Sequence, residues 1–214
     1  MRQLAEEIIR EGITKVSLER FETIIRHFDK INAVEGDIIE CGVWKGGMGV
    51  FLSKIFQNRT IWLADSYQGF ENQKTSTYFF KDERHHEGPR MVAPLQIVQD
   101  NLKKFGLEEG NRIKFLKGFV KDTLPDAGIG TIALLRVDVD AYSATRDVLD
   151  NLYDKVQKGG YIIFDDTSLT ESRVAIKDFI KEREISLTLL HPETDNEVSL
   201  NTGSLPSGCY IVKQ

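Results

Sequence analysis

The sequence predicts an α/β protein built on an open, doubly wound sheet, mostly parallel, with an antiparallel hairpin at one edge. Three observations predict it. Short apolar runs of strand character alternate with segments whose apolar residues recur every three or four positions, the periods of strand and helix. Ile132 to Val137 is almost continuously apolar, as a parallel strand buried on both faces should be. The last two strand-like runs have no helical segment between them, so they lack the crossover that a parallel pair requires.

The elements follow in order. Met1 to Gly12 and Ser17 to Ile31 read as helices and make residues 1–35 an N-terminal helical segment; the second carries Leu18, Phe21, Ile24, Ile25, Phe28 and Ile31 on one stripe, with Ser17 as N-cap. Strands are expected at Ile38 to Cys41, Thr60 to Ala64, Arg112 to Leu116 and Ile132 to Val137, and at Tyr161 to Phe164, which Gly159-Gly160 opens. Helices at Met48 to Phe56, Pro94 to Phe105 and Thr145 to Val156 supply the crossovers, and Arg173 to Arg183 a further helix. Ile185 to His191 and Cys209 to Lys213 are the edge pair, joined by the polar stretch Pro192 to Ser207. Ser66 to Gly88 is polar, aromatic and long for a βα connection, and reads as a lid over an acceptor that Tyr67, Phe70, Tyr78, Phe79 and Phe80 would cover.

The 214 residues, 41% hydrophobic and 29% charged, suit one domain over 1–214. A net charge of −5 opposes nucleic acid, whose phosphates must be neutralised by the protein. No apolar stretch reaches the ~18–20 residues that cross a bilayer, and Glu6, Glu7, Arg10 and Glu11 make the first helical stretch unlike a secretory signal, so a cytoplasmic protein without membrane contact is expected. Cys41 and Cys209 lie far apart in apolar runs and are expected as buried thiols, not a disulfide or zinc site.

In such a sheet ligands bind beyond the carboxyl ends of the strands, so the chemistry is sought just after each strand. The first strand ends in Glu40-Cys41-Gly42-Val43-Trp44-Lys45-Gly46-Gly47, and Asp65 ends the second, where a carboxylate can accept both hydroxyls of a ribose. From Gly42 the turn reads GxxxGG, not the GxGxxG of a dinucleotide site, and Glu40 would repel a pyrophosphate while suiting a sulfonium cofactor that carries an amino group. Asp138 and Asp140 follow the fourth strand, and Asp165 and Asp166 the fifth. Acids gathered on one rim repel unless a cation sits among them, and an all-oxygen set favours Mg²⁺, Mn²⁺ or Ca²⁺ over zinc.

Taken with Lys121-Asp122-Thr123-Leu124-Pro125, and running in order from about Ser17 to Asp166, these motifs resemble the macrocin O-methyltransferase (TylF-type) family. The resemblance implies a class I methyltransferase fold of Rossmann type, S-adenosyl-L-methionine as cofactor, Mg²⁺ (or Mn²⁺), and as acceptor a hydroxyl of a sugar or other natural-product small molecule. It implies that Glu40, Gly42, Val43, Trp44 and Gly46 line the cofactor's amino-acid end, with Asp138 beside them. Asp65 and Ser66 would serve its ribose, and Gly118 and Phe119 would flank its adenine. Asp138, Asp165 and Asp166 would bind the metal and Asp140 would act as general base. A homodimer or higher homo-oligomer is also expected.

His27 is expected on a solvated helix face and His191 in a structural place at the end of an edge strand. His85 and His86 fall in the lid and stand behind Asp140 as bases. The rival readings are a catechol-type acceptor, an NAD-type oxidoreductase and a binding domain without catalysis.

Overall fold

The computed structural model describes residues 1–70 and 91–214. Two helices come first, α1 (Arg2–Arg10) and α2 (Leu18–Ala33). Strand and helix then alternate through β1 (Asp37–Cys41), α3 (Gly47–Ile55), β2 (Ile61–Asp65), α4 (Leu95–Lys104), β3 (Ile113–Lys117), the single turn α5 (Val120–Thr123), β4 (Ile132–Val137), α6 (Tyr142–Leu152), β5 (Val156–Phe164) and α7 (Thr170–Glu182). Three short strands follow: β6 (Leu189–Leu190), β7 (Glu197–Val198) and β8 (Cys209–Val212).

The sheet order is β3-β2-β1-β4-β5-β8-β6-β7. The first five strands are parallel, and β8, β6 and β7 continue the sheet antiparallel. Strand order reverses between β1 and β4, which opens a crevice at their carboxyl ends.

Alternation along each strand divides the core into two layers. Ile38, Leu63 and Leu134 face one side and pack with Ile8 of α1, Phe21 of α2, Phe51 of α3 and Val98 of α4. Ile39, Trp62 and Leu135 face the other and pack with Val148 of α6 and Phe179 of α7. Cys41 and Cys209 are both buried and free. No described helix is long and apolar enough to cross a membrane.

Several expectations are corrected. The strand expected over Ile185 to His191 shrinks to Leu189–Leu190; β8 lies between it and β5, and the stretch taken as a polar connection supplies β7. The fifth strand begins at Val156, so the glycine pair lies inside it, at a register shift opposite β4. His27 is buried, not solvated: its ring packs on Tyr161 and Tyr210 and lies 3.3 Å from Asp195, a residue of the C-terminal stretch that periodicity within α2 could not reveal. Tyr67 belongs to the core, its hydroxyl donating to the Leu63 carbonyl, so it cannot cover an acceptor. The lid expected over 66–88 falls mostly outside the described residues, and Tyr78, Phe79, Phe80, His85 and His86 lie there.

Candidate active site

The parallel register sets Glu40 of β1 directly beside Arg136 of β4. Strand period then points Glu40, Arg136 and Asp138 to the face on which Ile38 and Leu134 meet the N-terminal helices. Arg136 is only 1% exposed and contacts three carboxylates. Its Nη1 donates to Glu40 Oε1 at 2.9 Å and to Asp138 Oδ2 at 2.7 Å, and its Nη2 donates to Asp165 Oδ1. Arg20, reaching over from α2, donates to the other oxygen of Asp165. The second oxygen of Glu40, Oε2, is buried with no hydrogen-bond partner.

Two guanidiniums thus face five acids: Glu40, Asp138, Asp140, Asp165 and Asp166. Burial pushes the Glu40 carboxyl up to about 8 against the pull of Arg136. Burial also raises Asp138 and Asp166 well above the carboxylate range, with repulsion from neighbouring acids adding to it. Burial opposes the charge of Arg136, but Asp138, Asp165 and Glu40 outweigh it and hold the guanidinium charged.

Asp138, Asp165 and Asp166 each bring one oxygen within 4.8 Å of the others'. The adjacency comes from the sheet, since the Asp165 N–H donates to the Val137 carbonyl and the Asp138 N–H to that of Cys41. Asp140 lies past the end of β4 in the left-handed region, at φ +57°, a conformation that costs a non-glycine residue energy. Its N–H donates to Asp166 Oδ2 at 2.8 Å, and burial and then repulsion from Asp138 push its carboxyl to about 6.

The glycine turn after β1 serves the sheet as well as the rim it borders. Gly42 is at φ +89°, and a Cβ there would stand 1.7 Å from the Asp138 carbonyl oxygen. Its freedom brings the chain after β4 close and so sets the height of Asp138. Asp65 acts on the same turn: Oδ2 accepts the N–H groups of Val43 and Trp44 at 2.7 and 3.0 Å, and Oδ1 accepts that of Tyr67 at 2.7 Å.

Two adjoining cavities open on this rim. Gly42, Asp65, Ser66, Phe119 and Val139 line the first, and Lys15, Arg20, Glu40, Asp166 and Ser168 the second. Trp44, Phe70, Met91, Asp138 and Asp140 line both and form their junction. Of the sequence-predicted residues, Val43 lines the second cavity, while Gly46, Gly118 and the buried Asp165 line neither. Gly46 caps α3 in the left-handed region, and Gly118 donates its N–H to the Asp65 carbonyl. Sequence reasoning missed Arg136 and Arg20. An arginine inside an otherwise apolar strand was a visible signal for the first; Arg20 gave none, because only the packing of α2 brings it to the rim.

An open parallel sheet in this order, with a glycine turn after the first strand and acids after the second, fourth and fifth, defines the protein as a class I methyltransferase fold. The family model described as Macrocin-O-methyltransferase (TylF) matches residues 1–196. The chain belongs to that family and is a methyltransferase. It is 37% identical over 177 residues to demethyldecarbamoylnovobiocin O-methyltransferase of Streptomyces niveus, covering 75% of this chain and 67% of that protein. It is 34% identical over 175 residues to 8-demethyl-8-(2,3-dimethoxy-alpha-L-rhamnosyl)-tetracenomycin-C 4'-O-methyltransferase of Streptomyces olivaceus, covering 78% and 67%. The chain thus spans about two thirds of the length of these relatives. The solved O-methyltransferase NovP shares its architecture at a TM-score of 0.81 and 31% identity, over 94% of this chain and 82% of that one.

Proposed function

We propose that the protein transfers the methyl group of S-adenosylmethionine to a hydroxyl of a sugar or other natural-product small molecule, with Mg²⁺ or Mn²⁺ held by Asp138, Asp165 and Asp166. The observation that carries the reading is Glu40 Oε2, a buried carboxylate oxygen without a partner at the sheet's switch point. An orphaned buried acceptor is costly, and a ligand ammonium would satisfy it with a charge-assisted bond. The residues fit the metal as well, because the three acids are close, all-oxygen and mutually repelling.

S-adenosylmethionine would supply a methyl made electrophilic by its sulfonium. A divalent cation among the three acids would act as a Lewis acid that lowers the pKa of the acceptor hydroxyl. The chain's own residues do the rest. Glu40 holds the cofactor's ammonium, the turn braced by Asp65 shapes the cofactor cavity, and Trp44 stands at the junction with the acceptor cleft. Asp140, at the same junction, accepts the hydroxyl proton, for which a carboxyl raised toward 6 is better matched than an ordinary one. The second cavity, about 740 Å³ and within the range of small-molecule sites, would take the acceptor beside the cofactor's amino-acid end at Glu40. The names of the two curated relatives, one of which carries a rhamnosyl group, support a sugar or natural-product hydroxyl as acceptor.

Calorimetric titration with adenosylhomocysteine and, separately, NAD tests the cofactor. Binding of adenosylhomocysteine, weakened in Glu40→Gln, is expected; binding of NAD alone would refute the reading.

A further inference from the structure

We infer that Arg136 is a positioning residue that links the cofactor site to the metal site, so that a change at either alters affinity at the other. The inference rests on the function proposed above. Arg136 lines neither cavity, yet of the acids it holds Glu40 lines the second, Asp138 lines both and Asp165 is enclosed behind them. Nη1 donates to Glu40 on the cofactor side and also to Asp138 on the metal side, at 2.9 and 2.7 Å, while Nη2 holds Asp165. One nitrogen shared by two carboxylates makes their interactions interdependent. Loss of charge on one strengthens the hold on the other, and a stronger hold on Asp138 leaves that carboxylate a poorer metal ligand.

The fork geometry is what permits this. A guanidinium presents several N–H groups in one rigid plane and can hold three acids together, whereas a lysine ammonium is a point charge on a flexible stem. Arg136 is also rigidly placed, since strand register fixes its backbone between Glu40 and Ile163 and its side chain is fully buried. Linkage requires that the two ligands be reciprocal: the cofactor should change metal affinity by the same factor as the metal changes cofactor affinity.

The test uses cofactor-free protein titrated anaerobically with Mn²⁺ at pH 8.5, where Glu40 is mostly ionised, and metal-free protein titrated with adenosylhomocysteine in EDTA. Glu40→Gln, which removes no metal ligand, should weaken Mn²⁺ binding by about 5-fold or more, and Asp165→Asn, at a residue that Arg136 holds and that lines neither cavity, should shift adenosylhomocysteine affinity, within the 5–150-fold usual for coupled sites. In an Arg136→Lys background, Glu40→Gln should lose most of its effect on Mn²⁺. A Glu40→Gln protein with Mn²⁺ affinity within twofold of wild type would overturn the linkage. So would an undiminished effect in the Lys background, because the plain field of a lost charge would then explain it. If Arg136→Lys does not fold, Asp65→Asn takes its place: it removes a rim charge that makes no contact with Arg136, and an effect as large as that of Glu40→Gln would equally overturn the linkage. Wild-type protein that bound no Mn²⁺ would reject the metal reading and the linkage together. Wild-type protein that bound Mn²⁺ while Glu40→Gln changed nothing would reject the linkage alone.

Discussion

The backbone N–H of Asp140 donates to Oδ2 of Asp166 across 2.8 Å, tying the left-handed residue after β4 to the acid pair after β5. The bond uses the main chain of Asp140, a residue at the junction of the two cavities whose carboxyl also meets Asp166. Asp140→Asn should therefore keep the loop in place while removing a proton acceptor. A general base is worth about 10²–10⁴-fold, so kcat should fall by that order with adenosylhomocysteine and Mn²⁺ affinities near wild type. The wild-type rate should climb along an acid limb as the base deprotonates, and that limb should vanish in the variant. Near-full kcat in Asp140→Asn would show that the base lies elsewhere.

Gly42 packs closely against the Asp138 carbonyl. A methyl group at position 42 would stand 1.7 Å from that oxygen on a backbone at φ +89°. Gly42→Ala should destabilise the protein by on the order of 3 kcal/mol, through strain and overpacking together, and should lower metal affinity by displacing Asp138. Thermal melting and Mn²⁺ titration check both effects.

Asp65 is expected to act through the backbone of the cofactor turn. It accepts three main-chain N–H groups, and hydrogen bonds to a charged group are worth about 1.5–3 kcal/mol each. Asp65→Ala should cost both melting temperature and adenosylhomocysteine affinity. Loss of affinity with an unchanged melting temperature would point instead to a role confined to the ribose.

Glu40 gives a pH signature to the ligand-free fold. Its carboxyl titrates at about 8 in the folded protein against 4.5 in the reference state, so between those values the folded state binds the additional proton. The stability it contributes is full below about 4.5 and is lost as pH rises through 8. The melting temperature of wild type relative to Glu40→Gln should fall from pH 5 to 8.5; a constant difference would show that Glu40 is not held protonated.

Much of this was legible in the sequence, for identifiable reasons. The central strand β4 was visible because burial on both faces makes it almost continuously apolar, the other parallel strands as short apolar runs between helical periods, and the acids at their ends because charge interrupts an apolar run abruptly. Each acid's neighbours depend on register, which the local pattern does not encode, so the contact of Arg136 with Glu40 and the reach of Arg20 to Asp165 could not be read. Asp65 was visible as an acid after a strand, yet its attachment to the turn depends on how that turn folds back. His27 looked solvated because its partners Tyr161, Tyr210 and Asp195 come from the far end of the chain.

The central claim is metal-assisted methyl transfer to a hydroxyl, and one measurement meets it most directly. Enzyme dialysed exhaustively against EDTA is supplied with methyl-labelled S-adenosylmethionine and a panel of glycosylated natural-product acceptors, with and without added Mg²⁺. The predicted result is label on a hydroxyl oxygen of at least one acceptor with Mg²⁺, none without it, and none with Mg²⁺ in Asp166→Asn. Full transfer in EDTA would contradict the account.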